Sequence, residues 1–407
     1  MTVAQMPEPE PVPEAVVGGA DTHADTVHVA LITVLGQDLA DRQFPTTPAG
    51  YRAAVEFLYS RGPITRVGIE GTSSYGVGLC RAARAGGLQV LEVNHTTRAE
   101  RRRQGKSDPL DAYRAAHAVL SGRATSAAKT EDIDGLRALR TARRSAVKAR
   151  TAAANQIHQL LITAPDPIRD KFRRLSGKTL VKTLAQCRPA PYNPVTYAVL
   201  IGLKTIAQRH QYLDGQISYL TEAITAVVAT INPGLLAAHG VGPDTAAQLL
   251  ITAGGNPDRL FSEASFAALC GTAPVPASSG KITRYRLSRG GDRGANNALH
   301  HIAVVRMSSH RPTRAYLTRQ RATGRSTPEI LRMLKRAIAR EMFKYLTHRV
   351  TVPAIDDLRA SRQAKNITLT RAAAHFGLRP TALARIENGT KRDDTLATAN
   401  RHWLHAA

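Results

Sequence analysis

The stretch VVGGADTHADTVHVALITVL, Val16 to Leu35, decides how the first part of this chain folds. Val27, Val29, Leu31 and Thr33 alternate with His28, Ala30 and Ile32, and β-branched residues are dense, which is a strand period. VVGGAD reads as the preceding strand, GQD as a turn, and LADRQF as a third strand ending at Phe44. TPAGYRAAVEFLYSRG has apolar residues at helical spacing and stops at Arg61-Gly62-Pro63. ITRVGIE is a short apolar strand, SSYGVGLCRAARAGG a helix closed by glycines, and LQVLEVN another strand. SDPLDAYRAAHAVLSG reads as a helix with Ser107 at its N-cap and Pro109 in its first turn. Strands first, then helices alternating with strands, predict a mixed α/β layer fold over residues 17–125.

Strand signals nearly vanish over 126–233. Leu203, Ile206, His210, Leu213, Ile217, Leu220, Ile224, Val227 and Ile231 are spaced by three and four, the seam of a coiled coil. Ile133, Leu136, Leu139, Ala142, Ile157, Leu160 and Leu161 supply a partner stripe, with KFRRLSGKTL and CRPAPYNP as connector. A heptad does not say whether its partner lies in the same chain or in another, so an oligomerisation arm and an internal hairpin both remain open. Residues 234–349 form a mostly helical unit. In it, GLLAAHGVGPDTAAQLLITAGG resembles a helix–hairpin–helix turn, read either as a phosphate site at a helix start or as a plain interhelical turn. The tail, 354–404, has two short helical patterns flanking Phe376-Gly377-Leu378 and resembles the Cro/repressor type of helix-turn-helix. In that reading the second helix, from Pro380 to Ile386, enters the major groove; a protein-binding bundle with a similar turn is the alternative.

The 407 residues carry 56 Lys+Arg against 31 Asp+Glu, a formal charge of +25 that calls for a polyanion. Nucleic acid is the expected partner, since no apolar run reaches the roughly 18–20 residues that span a bilayer. Cys80, Cys187 and Cys270 lie far apart, against a disulfide framework or a zinc ribbon. The start, MTVAQMPEPEPVPEAV, is acidic and Pro-rich, unlike a signal peptide, and reads as a disordered leader over 1–16 of a cytosolic, reduced protein.

Four carboxylates carry the chemistry of the first domain. Asp21 stands where the first strand begins, in GADTHADT, Glu70 at the end of VGIE, and Asp108 and Asp111 three apart on one helix, so both face the same way. Strand-end acids and one helix face can converge, and four hard oxygen donors with no Cys or His nearby suit Mg2+ or Mn2+. Such ions clamp the attacking and leaving oxygens of a phosphodiester. A cap or a solvated charge is the ordinary role of any one such acid, and Asp25 and Asp38, in polar turn-like settings, fit that role better. Further along, PASSGKITRYRLSRGGDRGANNALHH is basic and Ser/Gly-rich; Lys281, Arg284, Arg286, Arg289 and Arg293 suit phosphate oxygens. Arg98, Arg101, Arg102, Arg103 and Lys106, just ahead of Asp108, either guide a phosphate backbone toward the metal or form a solvated basic loop.

In order, GADTHADTVHVAL, IEGTSSYG, VLEVN and GKSDPLDA resemble the amino-terminal domain of the DEDD-type insertion-sequence transposases, the IS-one-ten family, and of the related Piv-type DNA invertases. GVGPDTAAQLLITAGG, FSEASFAALCGTAPVPASSGK and LSRGGDRGANNALHHIA resemble that family's carboxy-terminal domain, so the likeness covers about residues 17–347. It implies an RNase H-like, RuvC-like first domain in which Asp21, Glu70, Asp108 and Asp111 hold the metal. It also implies a serine nucleophile in the SSG motif, Ser279 with Ser278 as the other choice, forming a covalent link to DNA. The resemblance further implies a bacterial, nucleoid-associated homo-oligomer, dimer or tetramer, working on element-end and target DNA with a structured noncoding guide RNA. Ser107 stands where threonine is common in the family and Ser73 where glycine is; the tail is an extension beyond the family pattern. Against this stand a RuvC-like junction nuclease that needs no serine, and a DNA-binding regulator acting through the tail.

Overall fold

The computed structural model describes residues 15–93, 107–128, 132–190, 193–255, 260–276, 285–286, 288, 290–348, 355, 357–389 and 393–406. The chain divides into two units, Met1–Glu131 and Asp132–Ala407.

The first unit is a five-stranded sheet in the order β3-β2-β1-β4-β5. β1 (Val16–Thr22), β2 (Thr26–Thr33) and β3 (Asp38–Pro45) form an antiparallel meander. α1 (Pro48–Leu58) then carries the chain across to β4 (Ile64–Glu70), which runs parallel to β1. α2 (Val77–Ala85) leads to β5 (Gln89–Val93), parallel to β4. α3 (Asp108–Leu120) follows. α2 and α3 stop just before a glycine that takes a left-handed conformation: Gly87 and Gly122 both have positive φ. Val16, which the leader reading included, already lies buried in β1.

Both faces of the sheet are covered at β1 and β2, which is why those strands are buried almost throughout, whereas the edge strand β3 is mostly exposed. Ala20, Val29, Leu31, Val67 and Ile69 share a core with Leu58 of α1 and Leu79 of α2. Val17, Ile32 and Leu91 share the opposite core with Ala116 and Val119 of α3. Strand alternation therefore puts Val17, Gly19 and Asp21 of β1, and Gly68 and Glu70 of β4, on the α3 face.

That face lets a helix come very close. A Cβ on Gly19 would lie 2.2 Å from the Ala112 carbonyl oxygen and 2.2 Å from the Ala116 nitrogen, and one on Gly68 would lie 2.6 Å from the Ala115 oxygen. Bare backbone on the sheet and alanines at 112, 115 and 116 on the helix are what seat α3 directly over the carboxy-terminal ends of β1 and β4. Tyr113 ties the same helix to β3 by donating to Asp41 at 3.1 Å, and burial together with that carboxylate pushes its phenol up to about 12.

Among its described residues the second unit is helical apart from one short strand pair. α4 (Asp132–Thr163) and α7 (Pro194–Ile231) are its longest elements, linked by α5 (Asp166–Phe172) and α6 (Gly177–Gln186). They pack on each other antiparallel, within the chain. Ile133 and Leu136 share a core with Ile224 and Val228, Ala146 shares one with Leu213 and Ile217, and Ile157 shares one with Leu203 and Ala207. The heptad seam thus has its partner in cis. Its phase also differs from the reading at five positions: Ile206, His210, Leu220, Val227 and Ile231 are half-buried, while Ala207 and Val228 are fully buried. Polar pairs interrupt the seam, with Arg150 bonded to Asp214, and Arg143 donating to Thr221 at 2.7 Å.

Next come α8 (Pro233–Ala237), α9 (Pro243–Ala253), α10 (Glu263–Leu269), the antiparallel β6 (Val275–Pro276) and β7 (Tyr285–Arg286), α11 (Arg293–Ser309), α12 (Arg311–Ala322) and α13 (Thr327–Thr347). Arg306 pins this bundle: it donates to the His239 carbonyl at 2.7 Å and takes both Glu341 oxygens at 2.6 and 2.8 Å. The tail holds α14 (Asp357–Ala364), α15 (Leu369–His375), α16 (Pro380–Glu387) and α17 (Asp394–Ala406), packed around apolar clusters of their own. Among the described residues no helix is long and apolar enough to cross a membrane.

Candidate active site

Asp21 lies at the carboxy end of β1, not at the start of a strand as the sequence suggested, because Val16–Ala20 already pair with β2, and its side chain is 10% exposed. Its Oδ1 accepts from the Thr22 amide at 2.9 Å, which fixes the carboxylate against the strand end. β1 and β4 run in register with Ala20 beside Ile69, so Glu70 lies next to Asp21 across the ladder. The Thr22 hydroxyl donates to the Glu70 carbonyl at 2.9 Å and ties the two strand ends together. The seating of α3 on Gly19 and Gly68 then brings its first turn over this edge.

Two carboxylates converge there. The Nε2 of His23 lies 3.1 Å from Asp21 Oδ2 and 3.2 Å from Asp108 Oδ1. One ligand atom from each of Asp21, His23 and Asp108 falls within 4.8 Å of the other two, a spacing that fits one divalent cation. Glu70 and Asp111 stand outside this triad. Asp111 is on the same helix, yet its carboxylate accepts from Arg114 at 2.6 Å. Ser107 occupies the N-cap position with extended backbone, but its side chain makes no capping bond, so Asp108 and Asp111 supply the negative charge in the first turn.

His23 corrects the sequence reading, which counted oxygen donors alone. His23 stands two residues after Asp21, just past the end of β1, where neither strand period nor motif spacing marks it. Of the acids set aside, Asp25 lies in the turn between β1 and β2, and Asp38 begins β3 and pairs with His117 at 3.4 Å.

In the second unit, β6 and β7 are joined by residues 277–284, which hold Ser278, Ser279, Lys281 and Arg284 and lie outside the described residues. Arg289, Arg98, Arg101, Arg102, Arg103 and Lys106 lie outside them as well. What surrounds the foot of that hairpin is described. A cavity of about 360 Å³ is lined by Ser288, Arg293, Asn296, Asn297, His300 and Lys335. Arg286 on β7 is exposed and lines a neighbouring cavity that Lys335 also borders. Lys335 donates to Asn296 Oδ1 at 2.5 Å, and burial draws its ammonium below the usual lysine range. His300 is likewise held below the usual imidazole range, by burial first and then by the Lys335 and His301 charges. Asp292 caps α11 by accepting from the Gly294 and Ala295 amides at 2.7 and 3.2 Å, and Thr252 donates to its other oxygen at 2.6 Å. The cavity is thus rich in cationic and amide donors, a setting for phosphate oxygens.

The glycine-rich turn before α9 resolves as an interhelical turn. Gly240 takes a positive φ, the Gly242 amide is taken by Thr245 at 2.9 Å, and the first turn holds Asp244, paired with Arg140 and Arg143.

An acid cluster on a mixed sheet is followed along the chain by a helical unit, and two family models that match the chain are transposase models. Residues 18–164 match the DEDD transposase model of IS110 elements, and residues 234–318 match the transposase IS116/IS110/IS902 family. The chain belongs to the IS110 family of transposases, the IS-one-ten family of the resemblance above. A relative is the insertion element IS110 uncharacterized 43.6 kDa protein of Streptomyces coelicolor, 33% identical over 140 residues. That match spans 34% of this chain and 33% of the relative.

Proposed function

We propose that the protein is a DNA transposase that cuts and rejoins the ends of an insertion sequence through a serine–phosphodiester intermediate. The observation that carries the reading is the meeting of Asp21 and Asp108, 87 positions apart in sequence, at one imidazole nitrogen. The strand order, antiparallel on one side of β1 and parallel on the other, supports an RNase H-like, RuvC-like description of the first unit.

The donor set, two carboxylates with an imidazole, fits a divalent cation; Mg2+ or Mn2+ would be held by Asp21 and Asp108, with Glu70 beside them and His23 as the added nitrogen ligand. Such an ion, when bound, stabilises charge on phosphate and leaving-group oxygens. The chain's own residues do the rest. The Ser279 hydroxyl, with Ser278 as its alternate, attacks the phosphorus of a DNA phosphodiester; a P–O bond breaks, the leaving sugar oxygen takes a proton, and a phosphoserine ester forms. Attack by a second DNA hydroxyl on that ester releases the serine and restores a phosphodiester, so no nucleotide energy source is consumed. Lys281, Arg284, Arg286, Arg289 and Arg293 grip the phosphates on one side of the reaction, and Arg101, Arg102, Arg103 and Lys106 grip them near Asp108. A structured noncoding RNA supplies target choice, and the protein acts as a homo-oligomer in which acids and serine can come from different protomers.

The test is trapping on DNA. Wild-type protein, Mg2+ and element-end duplex yield a covalent adduct that maps to Ser279, absent in Ser279→Ala and in Asp21→Asn. Cleavage that persists undiminished in Ser279→Ala and Ser278→Ala overturns the serine step and leaves a hydrolytic nuclease. Mixing Asp21→Asn with Ser279→Ala protein restores activity if the two sets of residues are shared between protomers.

A further inference from the structure

Both family-matched segments end before residue 319, so the tail is not explained by them. Its construction points to a site of its own.

The turn comes first. α15 ends at His375, Gly377 takes a positive φ, and the Leu378 amide reaches back to the Ala373 carbonyl at 2.8 Å, so the chain reverses tightly before α16. The pair is held from behind. Ile367, Ala372, Ala373, Leu383 and Leu404 form one core, and Ile355, Leu358, Ile386 and Ala397 a second. Trp403 of α17 stacks on His375 with centroids 4.6 Å apart and meets Phe376 edge-on. Beneath them Arg362 of α14 grips Glu387 of α16 through two bonds of 2.8 and 2.9 Å, both side chains being nearly inaccessible.

The charge comes next. From Leu358 to Gly389 the sequence holds one acid, Glu387, and that acid is buried in its pair with Arg362. Arg359, Lys365, Arg371, Arg379 and Arg385 in the same stretch are all exposed. α16 therefore turns Leu383, Ile386 and Glu387 inward and presents Thr381, Arg385 and, one turn on, Asn388 outward, with Arg379 just ahead of its first turn. A helix of about 10–12 Å diameter fits the roughly 12 Å major groove, and arginine pairs bidentately with guanine O6 and N7.

We propose that α15 and α16 form a second nucleic-acid site, a reader of double-stranded DNA in which Arg379, Thr381 and Arg385 meet base edges in the major groove and Arg371 meets a phosphate. Sequence-specific duplex binding by the tail is separate from the metal and serine chemistry and from any guide RNA.

The test uses the full-length protein in EDTA, selecting from a library of random duplexes. Wild type enriches one duplex motif, and Asp21→Asn enriches the same motif although it no longer cuts. Arg379→Ala/Arg385→Ala, with unchanged thermal unfolding, loses the motif and binds the selected duplex at least about tenfold more weakly. Arg371→Ala weakens all duplexes alike and lowers the salt slope by about one. The proposal is overturned if wild type enriches no duplex, or if the double variant enriches the same motif at the same affinity. It is equally overturned if tail variants keep DNA binding and lose a bound protein instead, which would make the tail a protein dock. Because Asp21→Asn separates cutting from reading, a failure here leaves the transposase reading standing, and the converse holds.

Discussion

The acid cluster and the tail bring charge to a surface by opposite routes. Asp21 and Asp108 come from distant segments and meet, with Glu70 beside Asp21 on the next strand, only because a parallel strand crosses over and a helix docks on bare glycine backbone. The tail assembles its face within about fifty residues, from one turn, two small apolar cores and one buried ion pair. A site of the first kind fails when packing fails anywhere beneath it. A site of the second kind depends on a few local contacts and can be altered without touching the rest of the chain.

Gly19→Val tests the first half of that contrast most severely. Its side chain would have to displace helix backbone at 2.2 Å, so the first unit loses at least about 4 kcal/mol and strand cleavage disappears, as denaturant unfolding and a nicking assay will show. Asp21→Asn keeps the fold and lowers cleavage by about 100- to 1,000-fold, measured on element-end DNA under saturating Mg2+. Arg362→Ala strands Glu387 in the tail core and costs about 3 kcal/mol, whereas Arg362→Met with Glu387→Leu restores most of it; tail proteolysis rates distinguish the two. Gly215→Ala in α7 marks a glycine with no such duty: nothing lies within 4 Å of an added Cβ, and the helix gains about 0.5–1 kcal/mol.

The smallest effect is with acid. Burial holds His300 below its ordinary value of 6.5 in the fold, so the unfolded chain binds the proton more readily. Stability from this group is present above about pH 6.5 and declines as pH falls through the folded value. His300→Gln therefore shows a shallower loss of thermal midpoint than wild type between neutral and mildly acidic pH.

How much of this was legible depends on how far apart the deciding residues are. The strand alternation of β2, the helix stops at glycine, the Asp108 helix and the turn at Gly377 are written in neighbouring residues, and each stands where local pattern put it. The arm shows the limit. Leu203, Ile217 and Ile224 were readable as seam and are buried, but the flanking positions shifted to Ala207 and Val228 because the facing helix decides which side is covered. His23 went unread for a different reason: the search was for oxygen ligands, and a histidine two residues from an aspartate has no distinguishing pattern until its ring is placed.

The amino-acid order alone determined most element types, the family and the basic character, since each follows from local period, motif or composition. Tertiary structure alone decided that the seam closes within the chain, that Asp108 rather than Asp111 joins Asp21, and that the glycines at 19 and 68 are there to admit a helix. These outcomes depend on which distant surfaces come within a few ångströms of each other, and contact at that range is set by the packing of the whole sheet and bundle.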